Sequence, residues 1–313
     1  MSPLASIDIG SNSIRLLVGE VGGGHILPMR YERIVTRLAQ GIEDTGYLRQ
    51  SNMKNSIEGL KGFLEIIKGH GVSHIKAVGT SALREAKNSG DFIDRLFNET
   101  VLKVEVISGK KEAGLTAKGV LSGIDTKRTA LIIDIGGGST EWSFYDGQRV
   151  LISGTLPTGV VKLLEKYIKE DPPSFRDMSC LKKKLNAVSE AIHKKVRNHI
   201  KSNTAFIETA GTATTLAGID LGLKVYDRNK VHMHEIPVGR LISMASALGS
   251  LPIKERAKIN GLEPERADLI IPGIHFTIKI MERFGFKEVI VSDCGLLEGT
   301  LLLLSMEVER LAL

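Results

Sequence analysis

A short apolar run that ends in aspartate and glycine occurs twice in this chain of 313 residues, and no other feature constrains the fold as strongly. The two segments read SIDIGSNSIRL near the N-terminus and IIDIGGGSTEW in the middle of the chain. When Asp8 is aligned with Asp134, Gly10 falls on Gly136. Each segment is followed by two more strand-like stretches and then by helical patterns. The sequence therefore predicts an internal duplication of a strand–loop–strand–strand unit followed by helices.

The duplication divides the chain into two predicted domains. A length of 313 residues agrees with two domains of about 150 residues each. The polar, turn-like segment 124–128 marks the boundary, which gives a first domain over residues 1–126 and a second over 127–297. A composition of 42% hydrophobic and 25% charged residues is ordinary for globular domains and suffices for two cores.

Several protein classes are disfavoured by the composition. The two cysteines, Cys180 and Cys294, cannot form a disulfide framework, and no pair has the spacing of a zinc site. The N-terminus lacks the basic and apolar regions of a signal peptide, and no apolar run is long enough to span a bilayer. We therefore expect a cytoplasmic protein without a membrane segment. The net charge of +6 is compatible with a polyanionic partner.

Both aspartate–glycine loops have the composition of phosphate-binding hairpins. Glycine lets backbone N–H groups approach a ligand closely, and several converging N–H groups form an anion site. An aspartate beside phosphate requires a cation between them, and Mg²⁺ is the usual one. The alternative is a plain hairpin that uses glycine only for its turn. The candidate phosphate-binding residues are Asp8, Gly10, Ser11, Asn12 and Ser13 in the first loop and Gly136, Gly137, Gly138, Ser139 and Thr140 in the second.

A third glycine segment, AFIETAGTATTL, adds Gly211 and Thr212 as candidate phosphate-binding residues. Gly211 follows a strand-like stretch and precedes a helix predicted to begin near Thr212. Backbone N–H groups at the start of a helix favour anions. A threonine that only caps the helix accounts for the same pattern equally well.

Taken in order, these segments resemble the exopolyphosphatase / guanosine pentaphosphate phosphatase (Ppx/GppA) family of the actin/hexokinase/Hsp70 ATPase superfamily. The resemblance implies two α/β domains of ribonuclease-H-like fold with an active-site cleft between them. It also implies a homodimer, and a C-terminal helix over about residues 298–313 that packs on the first domain. The match runs nearly end to end through IDIGSNSIRLLV, AVGTSALREA, VISGKKEAGLTAKGV, DIGGGSTE, ETAGTATTLAGI, RADLIIPGIHFTIKIME and VSDCGLLEG.

The resemblance implies hydrolysis of a terminal phosphoanhydride bond, a reaction that needs charge neutralisation and a positioned water molecule. Glu112 is the candidate that orients or deprotonates this water. Arg84 is a candidate for binding substrate phosphate, because a guanidinium group suits phosphate. Asp134 is the expected Mg²⁺ carboxylate ligand. Glu141 is expected to assist at the metal site through water or by contacting one of the metal's ligands, and Asp8 to hold metal-bound water.

Apart from the metal ligand Asp134, each of these candidate residues also has a purely structural interpretation. Glu112 could only complement the dipole at the start of its helix. Arg84 could pair with a nearby acid on the surface, and Glu141 could be a solvated strand residue. Asp8 could stabilise its own hairpin through an Asx-type hydrogen bond.

The leading functional hypothesis is an exopolyphosphatase that releases orthophosphate from inorganic polyphosphate. The alternative within the same class removes the 5′ γ-phosphate of guanosine pentaphosphate (pppGpp). An ATP-dependent phosphotransferase is disfavoured, because no acceptor-binding domain is inserted and Glu112 is retained. No specific nucleic-acid partner is expected.

Three departures from the family pattern leave an alternative of another class open, a catalytically weak polyphosphate or alarmone binder. Lys111 and Gly114 flank the Glu112 position where the family has glutamate and arginine, and Leu297 stands where arginine is common. These changes concern substrate contacts more than the reaction.

A predicted helix in the second half of the chain is strongly basic. Between Lys182 and Lys201, Glu190 is the single acidic residue. It is interpreted either as a track for a long polyanion or as a solvated helix face. Its basic residues are Lys182, Lys183, Lys184, Lys194, Lys195, Arg197 and Lys201.

Overall fold

In a computed structural model, which describes residues 2–124 and 126–311, the chain forms two units. Unit 1 comprises Met1–Gly123 with Cys294–Leu313, and unit 2 comprises Ile124–Asp293. The predicted boundary segment includes Asp125 and the predicted C-terminal helix includes Ala312 and Leu313, and these residues lie outside the described ones. Within the described ranges no helix is both long and apolar enough to span a bilayer.

Strands and helices alternate along most of the chain. The strands are β1 Leu4–Ile9, β2 Ser13–Gly22, β3 His25–Val35, β4 His74–Gly79, β5 Val104–Val106, β6 Ala130–Ile135, β7 Thr140–Tyr145, β8 Val150–Leu156, β9 Ala205–Thr209, β10 Glu235–Pro237 and β11 Glu288–Val291. The helices are α1 Ile42–Thr45, α2 Gln50–Gly69, α3 Ser81–Glu85, α4 Ser89–Thr100, α5 Gly109–Gly123, α6 Val160–Tyr167, α7 Phe175–Val196, α8 Ala210–Asp220, α9 Arg228–Val231, α10 Val238–Gly249, α11 Ile253–Arg256, α12 Ile270–Phe284 and α13 Leu296–Leu311.

Unit 1 contains a five-stranded sheet with the strand order β3-β2-β1-β4-β5. The first three strands are antiparallel, and β4 and β5 continue the sheet in parallel with β1. Alternation along β1 directs Ile7 and Ile9 into an apolar core with α2 and α4. Ser6 faces the other side, where its hydroxyl donates to the Leu297 carbonyl of α13 at 2.9 Å. Asp8 therefore emerges at the end of β1 on the α13 side.

Unit 2 repeats this layout in a six-stranded sheet with the order β10-β11-β9-β6-β7-β8. Its antiparallel strands β6, β7 and β8 correspond to β1, β2 and β3, and β9 and β11 run parallel to β6. Along β7, Trp142 and Phe144 belong to the apolar core, so Glu141 and Ser143 occupy the opposite face. These sheets confirm the predicted α/β class with ribonuclease-H-like units.

Helices α5 and α13 cross with their backbones in contact. A Cβ atom on Gly119 would lie 1.8 Å from the Gly295 carbonyl oxygen, and one on Gly299 would lie 1.9 Å from the Leu115 carbonyl oxygen. Only residues without a Cβ atom allow such a close approach. The crossing fixes the position of α5, which carries Glu112, relative to the helix that covers β1.

We expect Gly119→Ala to lower the free energy of unfolding by about 1–3 kcal/mol, because its methyl group must displace backbone atoms of α13. Gly114→Ala is the matched control on the same helix, since a Cβ atom there meets nothing within 4 Å. This control should stabilise the protein by about 0.5–1 kcal/mol through the higher helix propensity of alanine. Urea denaturation of both variants measures the difference, and equal effects would contradict the backbone contact.

Candidate active site

The loop after β1 is closed by backbone hydrogen bonds that occupy its carbonyl groups. Gly10 N donates to Ser13 O at 3.1 Å, and Ala39 N, beyond β3, donates to Ser11 O at 2.9 Å. The Asn12 carbonyl likewise accepts from the backbone that follows β3. A Cβ atom on Gly10 would lie 2.9 Å from Ser13 O, so this tight turn needs glycine.

The loop after β6 has the same geometry. Gly136 N donates to Ser139 O at 3.1 Å, and a Cβ atom on Gly136 would lie 3.0 Å from that oxygen. The first residues of α6 bind the loop carbonyls, Val160 N to Gly136 O and Val161 N to Gly137 O, both at 2.9 Å. The duplication inferred from the sequence therefore extends to individual backbone hydrogen bonds.

This arrangement occupies three carbonyl acceptors in each loop and leaves backbone donors available. Within the described parts of the chain, the N–H groups of Ser11, Asn12, Gly137 and Gly138 donate to no protein acceptor. Backbone N–H groups of this kind form anion sites. Thr140 differs from them, because its hydroxyl donates to the Thr158 carbonyl at 2.6 Å and is already used within the fold.

Asp8 is held by an ion pair across its own hairpin. Its Oδ2 accepts from Arg15 Nη2 at 2.6 Å and Nε at 3.0 Å, and the two residues are direct partners of β1 and β2. The hairpin is thus stabilised by a charge pair instead of an Asx-type bond. The other oxygen, Oδ1, is buried without a partner, as are both polar side-chain atoms of Asn12. Buried polar atoms without partners are rare in folded proteins, so these atoms suit a bound ligand or water.

Glu112 and Arg84, which the sequence placed 28 residues apart, form an ion pair in unit 1. Arg84 Nη1 lies 2.5 Å from Glu112 Oε2 and 3.1 Å from the Ile107 carbonyl oxygen. Glu112 is 6% exposed, so this pair is not a surface salt bridge. The guanidinium group holds the carboxylate in one orientation, and such positioning is what an acid that must orient water requires.

The three departures from the family pattern leave this pair intact. Lys111 is half-buried and forms an ion pair with Glu105. Gly114 is exposed and faces open space. Leu297 is 5% exposed and packs in an apolar cluster that includes Leu4. Leu297 thus serves as a core residue of unit 1.

Asp134 and Glu141 are direct cross-strand partners of β6 and β7. They therefore project from the same face of the sheet, where such partners have Cβ atoms about 5 Å apart. Glu141 is 2% exposed, and its Oε1 accepts from Thr155 Oγ1 at 2.7 Å. The alternative of a solvated strand residue is therefore wrong for Glu141.

Two adjacent buried carboxylates repel each other unless a cation lies beside them. In residues 2–124 and 126–311 no group of three or more histidine, cysteine or acidic residues could hold a metal by itself. Mg²⁺ needs no such group, since it is usually bound by one or two carboxylates, with phosphate oxygens and water completing its shell. The pair of Asp134 and Glu141 therefore suits Mg²⁺ better than it suits a metal ion whose ligands all come from the protein.

The third glycine segment lies at the start of α8. The helix begins at Ala210, so the predicted start near Thr212 is two residues late, and the side chain of the capping residue Thr209 makes no capping hydrogen bond. Arg266 occupies the space beside Gly211, where a Cβ atom would lie 1.5 Å from its Nη1. No pattern in the sequence indicates this contact. The Arg266 guanidinium group, whose Nε pairs with Glu263 Oε2 at 2.6 Å, thus lies beside the helix start, where N–H groups favour anions.

Glu208, on β9, is a buried acid that the sequence analysis missed. It is 0% exposed, its Oε1 accepts from Thr277 Oγ1 at 3.0 Å, and its Oε2 is buried without a partner. Burial raises the pKa of Glu208, the Thr277 hydrogen bond opposes this change and the charge of Asp134 adds to it, and together they bring the pKa to about 8. Its signal in the sequence was a lone glutamate inside the apolar stretch AFIET.

This chain is similar to known proteins along most of its length. The profile of the Ppx/GppA phosphatase family matches residues 17–307. Exopolyphosphatase 2 of Mycobacterium tuberculosis is 28% identical over 322 aligned positions, which cover 97% of this chain and 99% of the relative. A bifunctional 3-dehydroquinate synthase/phosphatase of Fusobacterium nucleatum is 32% identical and matches 95% of this chain, which spans 46% of that longer protein.

Two crystal structures resemble the whole chain. The Ppx/GppA family member of Aquifex aeolicus is 32% identical, with a TM-score of 0.80 and 98% of each chain covered. An exopolyphosphatase from Cytophaga hutchinsonii is 25% identical, with a TM-score of 0.89 over 99% of this chain and 98% of that one.

The raised pKa of Glu208 predicts a loss of stability with rising pH. The folded state holds its proton up to about pH 8, whereas the unfolded chain releases it near pH 4.5. Folding therefore binds a proton between these values, and the free energy of unfolding falls across this window. Glu208→Gln should remove this fall, on the order of a few kcal/mol, and should be more stable than wild type at pH 8.

Urea denaturation in metal-free buffer at pH 5 and pH 8 measures this difference. Glu235→Gln, an exposed position on β10 of the same sheet, is the matched control and should follow wild type. A Glu208→Gln variant with the full pH dependence of wild type would show that Glu208 is ionised in the folded protein.

Proposed function

Because the chain belongs to the Ppx/GppA phosphatase family, we propose that it is an exopolyphosphatase that hydrolyses the terminal phosphoanhydride bond of inorganic polyphosphate. The observation that carries the proposal is the buried Glu112, which Arg84 holds in an ion pair. An exopolyphosphatase that matches this chain over nearly the whole length of both proteins supports it. Orthophosphate is the product, and water is the acceptor.

Glu112 acts on the attacking water. Its carboxylate orients the water and accepts its proton as the new P–O bond forms and the bridging P–O bond breaks. Arg84 positions this carboxylate through the contact at Oε2. Direct contact of Arg84 with substrate phosphate remains part of the proposal, since guanidinium groups bind phosphate and carboxylate alike.

The two glycine loops bind phosphate oxygens through their spare N–H groups. Asp134 and Glu141 would hold Mg²⁺, which when bound neutralises charge on the phosphate oxygens. Asp8 is proposed to hold metal-bound water, because its Oδ1 is buried and has no partner. The start of α8, with Gly211, Thr212 and Arg266, offers a further anion site.

A cavity in unit 2 supports a second candidate, hydrolysis of the 5′ γ-phosphate of pppGpp. The cavity has a volume of about 210 Å³ and opens beside α8. Thr215 and Gly218 of α8 line it together with Tyr226 and Pro264. An aromatic side chain and glycine backbone are suited to a flat base. Competition between polyphosphate and pppGpp as substrates of the purified protein decides between the two candidates.

Glu112→Gln should lower kcat for phosphate release by about 10²–10⁴-fold, because the amide cannot accept the proton of water. KM should change little, since the substituted side chain keeps its size. Glu105→Gln is the matched control, because Glu105 lies nearby on β5 but is exposed and pairs with Lys111. Phosphate release from polyphosphate and from pppGpp measures both variants.

Two results of this experiment would contradict the proposal. Full activity of Glu112→Gln would remove the proposed water-activating role. Binding of polyphosphate by wild type without any phosphate release would identify a binding protein on a hydrolase fold.

Chelation of divalent cations should abolish phosphate release, and Mg²⁺ should restore it. Asp134→Asn should raise the Mg²⁺ concentration for half-maximal activity at least tenfold, because it removes one of two adjacent carboxylates. Asp94→Asn, at an exposed position on α4, should leave this concentration unchanged. An Asp134→Asn variant with an unaltered Mg²⁺ requirement would exclude Asp134 as the ligand.

A further inference from the structure

Helix α7 has one apolar face and one basic face. Leu181, Leu185, Ile192 and Val196 are buried in the core of unit 2. At about 100° per residue, four basic residues fall within a sector of about 60° on the opposite side. This set, the α7 basic stripe, consists of Arg176, Lys183, Lys194 and Arg197, all of them exposed. It extends for about 30 Å at 1.5 Å per residue.

Further basic residues flank the stripe, and none of them is neutralised. In the parts of the chain that the structure describes, no carboxylate pairs with the stripe residues or with Lys182, Lys184, Lys195 and Lys201. Some lysines on other elements differ in this respect, since Lys61, Lys76 and Lys279 each pair with glutamate. The basic side chains of α7 therefore carry positive charge that no carboxylate in the described residues neutralises through an ion pair.

The acidic residues of α7 do not offset this charge. Asp177 is buried in the capping box at the helix start, where it accepts backbone N–H groups of Lys169, Glu170 and Ser174. Glu190 pairs with Arg283 of α12 at 3.0 Å. Its negative charge is thus matched by a basic residue from outside the helix. The exposed face of α7 retains only positive charge.

The helix dipole accounts for part of this pattern only. Lys194 and Lys195 lie in the last turn, where the dipole favours cations. Lys182, Lys183 and Lys184 lie in the first half of the helix and gain nothing from it. Crowded like charges on one helix are destabilising by themselves. Their field also reaches α12, where burial and the charge of Lys182 lower the pKa of His275 to about 4.

We propose that the α7 basic stripe is a second binding surface for inorganic polyphosphate, which holds a distal part of a long chain outside the phosphate loops. This inference rests on the proposed function for its choice of ligand. A polyanion without bases fits the stripe better than single-stranded RNA. Phe175, exposed at the start of α7, is the one phenylalanine, tyrosine or tryptophan in residues 175–197, and a single ring cannot stack successive bases. A long polyphosphate that contacts both the loops and the stripe binds more tightly, because the second contact forms at a high effective concentration. Short substrates cannot reach both surfaces.

The test compares two triple variants that remove the same charge. The first is Lys183→Gln/Lys194→Gln/Arg197→Gln on the stripe. The second is Arg149→Gln/Lys254→Gln/Lys287→Gln, at exposed positions of unit 2 outside α7. Binding of end-labelled polyphosphate of several hundred phosphates is measured by fluorescence anisotropy in Mg²⁺-free buffer. Tripolyphosphate hydrolysis is measured separately with Mg²⁺.

The stripe variant should bind long-chain polyphosphate about tenfold more weakly than wild type, with a shallower dependence of affinity on salt, because fewer counterions are released. The control should stay near wild type, and both variants should hydrolyse tripolyphosphate with wild-type kcat and KM. Equal loss of affinity in the two variants would overturn the proposal. So would tighter binding of single-stranded RNA, with a larger loss in the stripe variant, because RNA would then be the occupant.

The binding arm does not depend on turnover. If wild type hydrolyses none of the substrates but the stripe variant loses affinity for polyphosphate, the proposed function fails and the binding surface stands. If wild type hydrolyses long-chain polyphosphate and the stripe variant binds it as tightly as wild type, only the binding surface fails.

Discussion

In both units, one backbone hydrogen bond closes a loop directly after a strand-end aspartate, and the candidate site depends on it. The bond joins the glycine N–H to the serine carbonyl three residues later at 3.1 Å in each copy. It fixes the hairpin register, and the register decides which side chain stands across from the aspartate. In unit 1 that partner is Arg15, and in unit 2 it is Glu141. The same scaffold therefore neutralises one aspartate and gives the other a second carboxylate, and only the latter pair suits a divalent cation.

Much of this arrangement was predictable because it is local in sequence. The strands, both loops and the α/β class follow from apolar periodicity and from a motif that occurs twice. The polar partners were harder to predict, since they are set by tertiary contacts. Arg266 reaches Gly211 from 55 residues away in sequence, and Thr277 binds Glu208 from 69 residues away. The helix start near Thr212 was misplaced because Ala210 adopts a positive φ of 71°, which propensity does not favour for alanine.

The departures from the family pattern illustrate how context decides the meaning of a substitution. A lysine beside a candidate catalytic acid suggests a damaged site when only the sequence is considered. In the structure, Lys111 pairs with Glu105, while Glu112 keeps Arg84 as its partner. Neighbours in sequence on a helix point in different directions, so a change at one position need not affect the next. The pairing of Glu112 is therefore independent of the residue that precedes it.

The interleaved order of the two units bears on how the protein is made. Unit 2 occupies a continuous stretch, Ile124–Asp293, whereas unit 1 needs both the first 123 residues and the segment after Asp293. During synthesis, unit 2 can complete its core while the Gly119 contact surface of α5 is still without its partner helix. The ribosome must release α13 before β1 is covered and α5 is fixed. The environment of Glu112 is therefore completed only by a segment that is synthesised after the whole of unit 2.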